Sequence, residues 1–305
     1  MPSNTKQFPN QTDRDIVKRF FDDFKDYPAE VTSIAKFQSE VGKGKGDHYT
    51  ESVLSGLGSY NLTAEGQPVT YDQPVEGDKK TVYFQKWTLA FQITEEMLDD
   101  SLDDNFDRMP SKLAKNGNYK KDSAWFDLLN SGFATHTAND GQYIFHATAH
   151  TTLKSLSTQA TRPATDAALS ETSLQAAFEA FDARKDESGN PITMTPKWLV
   201  VPTALRWTAQ KLYKGTLKVG SADNDINTVN PGNMPEQWTP FVSRWATASA
   251  AWFLLAAEHD GRFIWRWPLR LQSSDDFNTG SRLYKAMMRF KCAVWDYRGF
   301  YGTTP

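Results

Sequence analysis

The sequence predicts an α+β fold, and three observations carry that expectation. Trp87, Leu89, Phe91 and Ile93 alternate with Lys86, Thr88, Ala90 and Gln92, the period of a strand with one buried face. Thr94-Glu95-Glu96 follows at once with a helix cap and first-turn acids. Further on, Ser170 opens a helix in which Leu174, Ala177, Phe178 and Phe181 recur at helical spacing. The apolar run Trp198-Leu199-Val200-Val201 then enters Pro202-Thr203 and another helix.

Taken in order, residues 12–25 form a short amphipathic helix: Thr12 caps it, Asp13 and Asp15 suit its positive end, and Ile16, Phe20 and Phe24 recur every four residues. Pro28 stops it. The segment up to Gly46 is otherwise polar and reads as an arm with one adhesive face, whose candidate contacts are Ile16, Phe20 and Phe24. From Gly56 to Lys80 the chain is punctuated by Gly and Pro yet holds Val69, Tyr71 and Val75, which predicts an extended two-stranded loop with little core of its own.

The helical stretch from Thr94 carries seven acidic residues between Glu95 and Asp107, followed by Lys112, Lys115, Lys120 and Lys121. Pro110 sits in the first turn of its second half, and Gly132 stops it, so the expectation is one long helical rod bent near Pro110. Asn116-Gly117 is a second place where it is expected to break or bend, since Gly costs about 1 kcal/mol relative to Ala inside a helix.

Helix 170–182 ends in the turn Asp186 to Pro191, and the helix through Leu205, Ala209 and Leu212 ends at Gly215. The Asn-rich stretch from Gly215 to Pro240 is expected to be an exposed or partner-facing loop. Apolar strands follow at Trp252–Leu255 and Phe263–Trp267. Met287 to Tyr301 alternates again, and pairing of this strand with Trp87–Ile93 is expected.

Of the 305 residues, 39% are hydrophobic and 23% charged, an ordinary globular balance that provides for a core. Lys plus Arg number 34 and Asp plus Glu 37, a net charge of −3, too balanced for a protein whose main task is gripping phosphate backbones. The single cysteine, Cys292, excludes an intrachain disulfide and fits a reducing cytosol. The longest apolar stretch, Trp245 to Ala257, falls short of the roughly 20 residues that span a bilayer, and Met1 to Lys6 carries no apolar signal region. A soluble, unexported protein with no membrane partner is expected. Aromatic residues reach 13%, with 10 Trp, a content suited to cores and subunit seams.

No motif builds a catalytic constellation. His146 and His150 have the spacing of a metal-chelating helix pair, but the intervening Glu of the His-Glu-x-x-His pattern is lacking and no third ligand is signalled. Gly42-Lys43-Gly44-Lys45-Gly46-Asp47 matches a phosphate loop in composition only. Asp223-Asn224-Asp225-Ile226-Asn227 begins like a calcium loop, yet Thr228 replaces the turn glycine and Met234 stands where the bidentate Glu belongs. The acidic run 95–107 reads as a solvated helix face, and Cys292, in a strand, as a small core residue. Asn61-Leu62-Thr63 is a glycosylation sequon without meaning in an unexported protein. No catalytic, cofactor-binding or metal-ligating residue is assigned, and no cofactor is expected.

The order of parts resembles the tailed-phage major capsid proteins with the Hong Kong 97-type fold, particularly the Mu-like major head subunit group. The residues that carry this are Phe91-Gln92-Ile93-Thr94-Glu95-Glu96-Met97 leading to Phe106 and Met109-Pro110; Asp140-Gly141 with Phe145-His146 and His150; Leu169-Ser170 with Leu174; Gly189-Asn190-Pro191-Ile192; Pro196-Lys197-Trp198-Leu199-Val200-Val201-Pro202; and Asp296-Tyr297-Arg298-Gly299. They span roughly residues 50–305.

The resemblance implies an N-terminal arm (1–46), an extended β-hairpin loop region (47–86), a peripheral domain with a long spine helix (87–140 and 273–305) and an axial α/β domain (141–272). It implies a structural protein rather than an enzyme, forming hexamers and pentamers of an icosahedral shell around the double-stranded DNA of a tailed phage. Copies of itself, portal, scaffolding and decoration proteins are the implied partners, with non-specific contact to the packaged DNA, a virion location and assembly in the host cytoplasm. Glu65, Gly66, Pro68, Val69, Tyr71, Lys79 and Lys80 become candidate inter-subunit loop residues. Some members of the group crosslink a loop lysine to a distant asparagine; here Lys79 and Lys80 read as ordinary solvated lysines. No long coiled coil precedes the arm, so a separate or removed scaffold is expected. The alternatives are a cellular encapsulating compartment of the same fold and a metal-dependent hydrolase using His146 and His150.

Overall fold

A computed structural model describes residues 9–26, 29–38, 46–94, 96, 108–148, 150–217, 225–234 and 237–305, with side chains from Val17 onward. The chain divides into two compact units: residues 1–49, 83–125 and 263–292, and residues 50–82, 126–262 and 293–305.

In the first unit, α1 (Pro9–Asp26) starts earlier than expected, so Thr12 lies within the helix rather than capping it; proline is suited to a first helical turn. Phe20 is fully buried. Helix α2 (Arg108–Asn130) has Pro110 in its first turn and runs unbroken through Asn116-Gly117. Gly117 packs beside Leu269 and Phe24, where a Cβ would make ordinary van der Waals contact at 3.6 Å with each. The acidic half of the expected rod, apart from Glu96, lies outside the described residues.

Strands β1 (Lys36–Gln38), β10 (Gly261–Asp276), β11 (Ser281–Val294) and β4 (Gln85–Ile93) form a sheet in the order β1-β10-β11-β4. The expected pairing of β4 with the C-terminal alternation is formed, antiparallel, with Trp87 opposite Met288 and Ile93 opposite Arg282. Phe263, Trp265 and Phe290 pack there, Phe263 and Phe290 with ring centroids 4.5 Å apart. The apolar face of β4 is less covered than its alternation implies. Ile93 is buried, Trp87 and Phe91 are half-buried, and Leu89 is exposed.

The C-terminal alternation was expected to run as one strand to Tyr301; instead β11 ends at Val294. Asp296 accepts a hydrogen bond from Arg298 N at 2.9 Å and caps a 3-10 turn, Tyr297–Gly299. Gly299 lies so close to His259 that a Cβ would come within 2.4 Å of its Cα. Strand β12 (Phe300–Thr303) then joins a different sheet.

That sheet belongs to the second unit and has the order β12-β9-β7-β8, where β7 is Pro196–Pro202, β8 Thr239–Ser243 and β9 Trp252–Ala256. Strands β7 and β8 are parallel, joined through α4 (Arg206–Lys214); β9 is antiparallel to β7 and to β12. Helix α3 (Glu171–Asp182) starts where Ser170 predicts, its hydroxyl accepting from Ser173 N. It buries Leu174, Ala177, Phe178 and Phe181 in one core with Leu199, Val201, Trp238, Trp252 and Leu254.

The Asn-rich stretch after Gly215 is tied down where it is described, against the expectation of an exposed loop. Asn227 Nδ2 donates to Leu212 O and Gly215 O at 2.8 and 2.7 Å, and Asn230 Nδ2 to Tyr213 O and Gly215 O at 2.9 and 3.0 Å. These amides satisfy the open carbonyls at the end of α4, and Val229 and Trp238 enter the core.

Candidate assembly surfaces

Strands β2 (His48–Leu54) and β3 (Glu76–Tyr83) form a two-stranded ribbon that carries the segment 55–75. The strands therefore lie at the base, and the tip is irregular rather than two-stranded throughout. Ser55 N donates to Val75 O at 2.8 Å and Val75 N to Ser55 Oγ at 2.7 Å, closing the loop. Beyond that clasp its apolar side chains face outward: Leu57, Tyr60, Leu62, Val69 and Tyr71 are all exposed, Tyr71 to 90%. A chain that leaves this much apolar surface uncovered has no core of its own to bury it in.

The loop's candidate residues occupy distinct places. Glu65-Gly66 forms a turn closed by Gln67 N donating to Ala64 O at 3.1 Å, with Gly66 at φ +79°, a conformation that favours glycine. Pro68, Val69 and Tyr71 follow in the exposed limb. Lys79 is exposed, its Nζ 3.7 Å from Glu76.

Lys80 is not the solvated lysine the sequence suggested. It is half-buried and donates to Val294 O at 2.7 Å and to Thr137 O, with its ammonium 5.9 Å from the Trp295 ring. Cation and carbonyls together fix β3.

The loop is also held within its own unit. Lys154 Nζ donates to both oxygens of Asp72, at 2.5 and 2.7 Å, and Gly58 N donates to Asp72 Oδ2 at 2.6 Å. The Lys154 bond, with the Gly58 bond, holds the Asp72 carboxyl below its ordinary range. Ser59 Oγ donates to Asn190 Oδ1 at 2.7 Å, and Ser188 Oγ to Gly56 O at 3.1 Å.

The arm residues are consumed inside the first unit. Asn118 Nδ2 of α2 donates to Phe24 O at 3.0 Å, Lys121 Nζ lies 4.4 Å from the Phe24 ring, and Val31 N donates to Asp122 Oδ1 at 2.9 Å. Phe24 thus lies on α2 of its own chain, and Phe20 is buried beside it on α1. Ile16 lies in α1, outside the residues whose side chains are described.

A cleft of about 410 Å³ in the second unit is walled by several carboxylates, among them Glu51, Glu187, Asp260 and Asp296. Two arginines pair with these four. Arg262 donates to Asp260 at 2.5 Å and to Glu51 at 2.6 Å, which raises its pKa further, the Asp260 bond contributing most. Arg298 pairs with Glu187 and Asp296 and donates from Nε to Lys185 O at 2.7 Å. Sequence reasoning missed both; Asp296-Tyr297-Arg298-Gly299 was noticed, but nothing in it announces Glu187 as a partner.

His146 and His150 do not share a helix. His150 is a buried strand residue whose Nδ1 lies 2.6 Å from Asp140 Oδ2, with its ring stacked 4.0 Å from Tyr297. Among the described residues no three His, Cys, Asp or Glu side chains are grouped to hold a metal ion. Cys292 is buried, as expected of a core residue. Asp223-Asn224 and most of the Gly-Lys run 42–46 lie outside the described residues.

This architecture is similar to that of two solved phage capsids and a virus-like particle. The Ralstonia phage GP4 capsid aligns with a TM-score of 0.61 at 10% identity, over 88% of this chain and 87% of that one. The mature capsid of bacteriophage PhiM1 gives 0.58 at 12%, over 91% and 87%. A virus-like particle from Pyrococcus furiosus gives 0.51 at 7%, over 95% and 98%. The class is therefore the Hong Kong 97-type capsid fold. Residues 78–302 match the phage capsid protein family, so the chain belongs to that family and is a major capsid protein. No curated protein matches it by sequence.

Proposed function

We propose that the chain assembles into hexamers and pentamers of an icosahedral shell enclosing the double-stranded DNA genome of a tailed phage, in the virion, after assembly in the host cytoplasm. Portal, scaffolding and decoration proteins are its proposed partners beside copies of itself. The observation that supports this best is the loop 55–75, whose exposed Leu57, Tyr60, Leu62, Val69 and Tyr71 have no place to be buried except on a neighbour. Repetition of such modest contacts over many subunits gives a shell its stability.

The arm is proposed for 1–46, the loop for 47–86, the peripheral part for 87–140 and 273–305, and the axial part for 141–272. A net charge of −3 suits a wall that touches DNA without gripping it. Assignment to the Mu-like group rests on the order of the sequence motifs alone. The family match favours a phage shell over a cellular compartment. A capsid role calls for no catalytic chemistry, and the helical premise of the hydrolase reading is not met.

Electron microscopy of the expressed chain tests the proposal. Uniform closed particles or capsomer rings are expected; a monodisperse monomer under every assembly condition refutes it. Replacing residues 58–73 by a short Gly-Ser linker is expected to leave the subunit folded and assembly-defective. The cut spares 76–80, which belong to β3 and include the Lys80 anchor.

A further inference from the structure

The partly uncovered face of β4 continues into a groove of about 220 Å³ in the first unit, walled by Trp87, Leu89, Leu113, Leu269, Met287 and Met288. An apolar cavity of about 150 Å³ admits a benzene molecule, so the groove has room for one aromatic side chain, and methionine walls adapt to its shape. Its surroundings are basic. Lys120 Nζ stands 3.7 Å over the Trp87 ring, and Lys112 lies on α2 one turn before the wall residue Asn116, while the wall holds no acidic residue.

The same unit carries an aromatic ring that nothing in it covers. Phe277, at the tip of the β10–β11 hairpin, is 100% exposed. The tip is ordered by its own bonds: Asp276 accepts from Asn278 N at 3.1 Å and from Thr279 Oγ1 at 2.9 Å, and Gly280 turns the chain at φ +63°. Asp275 and Asp276 precede the ring, so the tip presents an apolar group beside two acids. The ring cannot reach the groove of its own chain, because Met287 lies 287 − 277 = 10 residues farther along the hairpin, ~33 Å at the rise of a strand.

We propose that Phe277 of one copy docks in this groove of a second copy, with Asp275 and Asp276 set against Lys112 and Lys120. The contact is heterologous, tip to groove, and propagates from subunit to subunit as a closed shell requires. It rests on the shell reading above. Charge favours the tip over the loop 55–75 as occupant: the loop's Asp72 is held by Lys154 at 2.5 Å, whereas Asp275, 3.5 Å from Arg282 Nε, keeps its side chain 79% exposed.

Two measurements test it in assembled particles. With p-benzoylphenylalanine at position 277, illumination is expected to crosslink copies to peptides holding residues 86–89, 112–120 or 286–288. The docking is overturned if particles form but crosslink only elsewhere, for example to loop 55–75 or tip to tip, or do not crosslink between copies. Phe277→Ala, at a fully exposed position, is expected to keep the thermal midpoint of the subunit and to raise the subunit concentration needed for assembly about tenfold. An unchanged concentration overturns the docking and leaves the shell reading standing. Failure of the unsubstituted chain to form particles under any condition overturns both.

Discussion

Lys121→Met tests how the N-terminal helix is held. Lys121 is only 7% exposed, with its ammonium 4.4 Å from the Phe24 ring. Burial lowers its pKa from 10.5 to about 8, and neighbouring Asp122 offsets only part of that. At about 1.4 kcal/mol per pKa unit, carrying the charge into the folded unit costs ~3.5 kcal/mol. The face of Phe24 returns ~0.5–2 kcal/mol, which leaves a net penalty of ~1.5–3 kcal/mol near neutral pH. Methionine keeps the apolar stem and removes the charge.

The sign with pH follows from proton counts. Below about pH 8 the lysine is charged in both folded and unfolded chains, and the penalty is constant. Between that point and 10.5 the unfolded chain holds the proton that the folded chain has lost, so stability rises with pH through this window. Urea unfolding of the wild-type and variant subunits at about pH 7 and about pH 10 measures both effects. The variant is expected to be more stable by ~1.5–3 kcal/mol at the lower pH, with the difference shrinking toward zero at the higher. A less stable variant at neutral pH, or a difference independent of pH, refutes the reasoning.

Two further substitutions probe the second unit. Arg298→Ala strips the half-buried Glu187 and Asp296 of their buried cation and is expected to lower unfolding free energy by ~1.5–3 kcal/mol, seen as a fall in the urea midpoint; a loss below about 1 kcal/mol would mark the pair as a surface bridge. Phe181→Ala empties a fully buried site in the α3 core and is expected to cost ~3–5 kcal/mol. Calorimetry of the isolated subunit reads it, and an unchanged melting temperature contradicts the core described here.

Where local pattern and tertiary environment agree, the sequence was readable. Ser170 with the spacing of Leu174, Ala177, Phe178 and Phe181 specified α3, and the alternations around Trp87 and Met288 specified the partners β4 and β11. The failures share a cause. Residue type states that a group is polar, not whether water or protein satisfies it. Asn227 and Asn230 were read as solvent-facing and instead close the end of α4; Lys80 was read as solvated and instead holds two carbonyls. An alternating pattern likewise states that a strand exists but not which sheet it joins, so the passage from β11 to β12 was invisible. The loop 55–75 was legible as a segment lacking a core, whereas its tether to Lys154 and Asn190 was not, because those partners are far away in sequence.

The chain passes between its two units at 49/50, 82/83, 125/126, 262/263 and 292/293. Neither unit is complete until residues near the end of the chain have been made, since the first needs 263–292 and the second 293–305. Contacts this distant in sequence are slow to form and are among the last available during synthesis. The consequence is one of timing: a nascent chain that has not yet released residues 281–303 from the ribosome lacks the last strand of both sheets. Assembly competence therefore waits for those residues, and shorter nascent chains on one messenger are spared from joining one another prematurely.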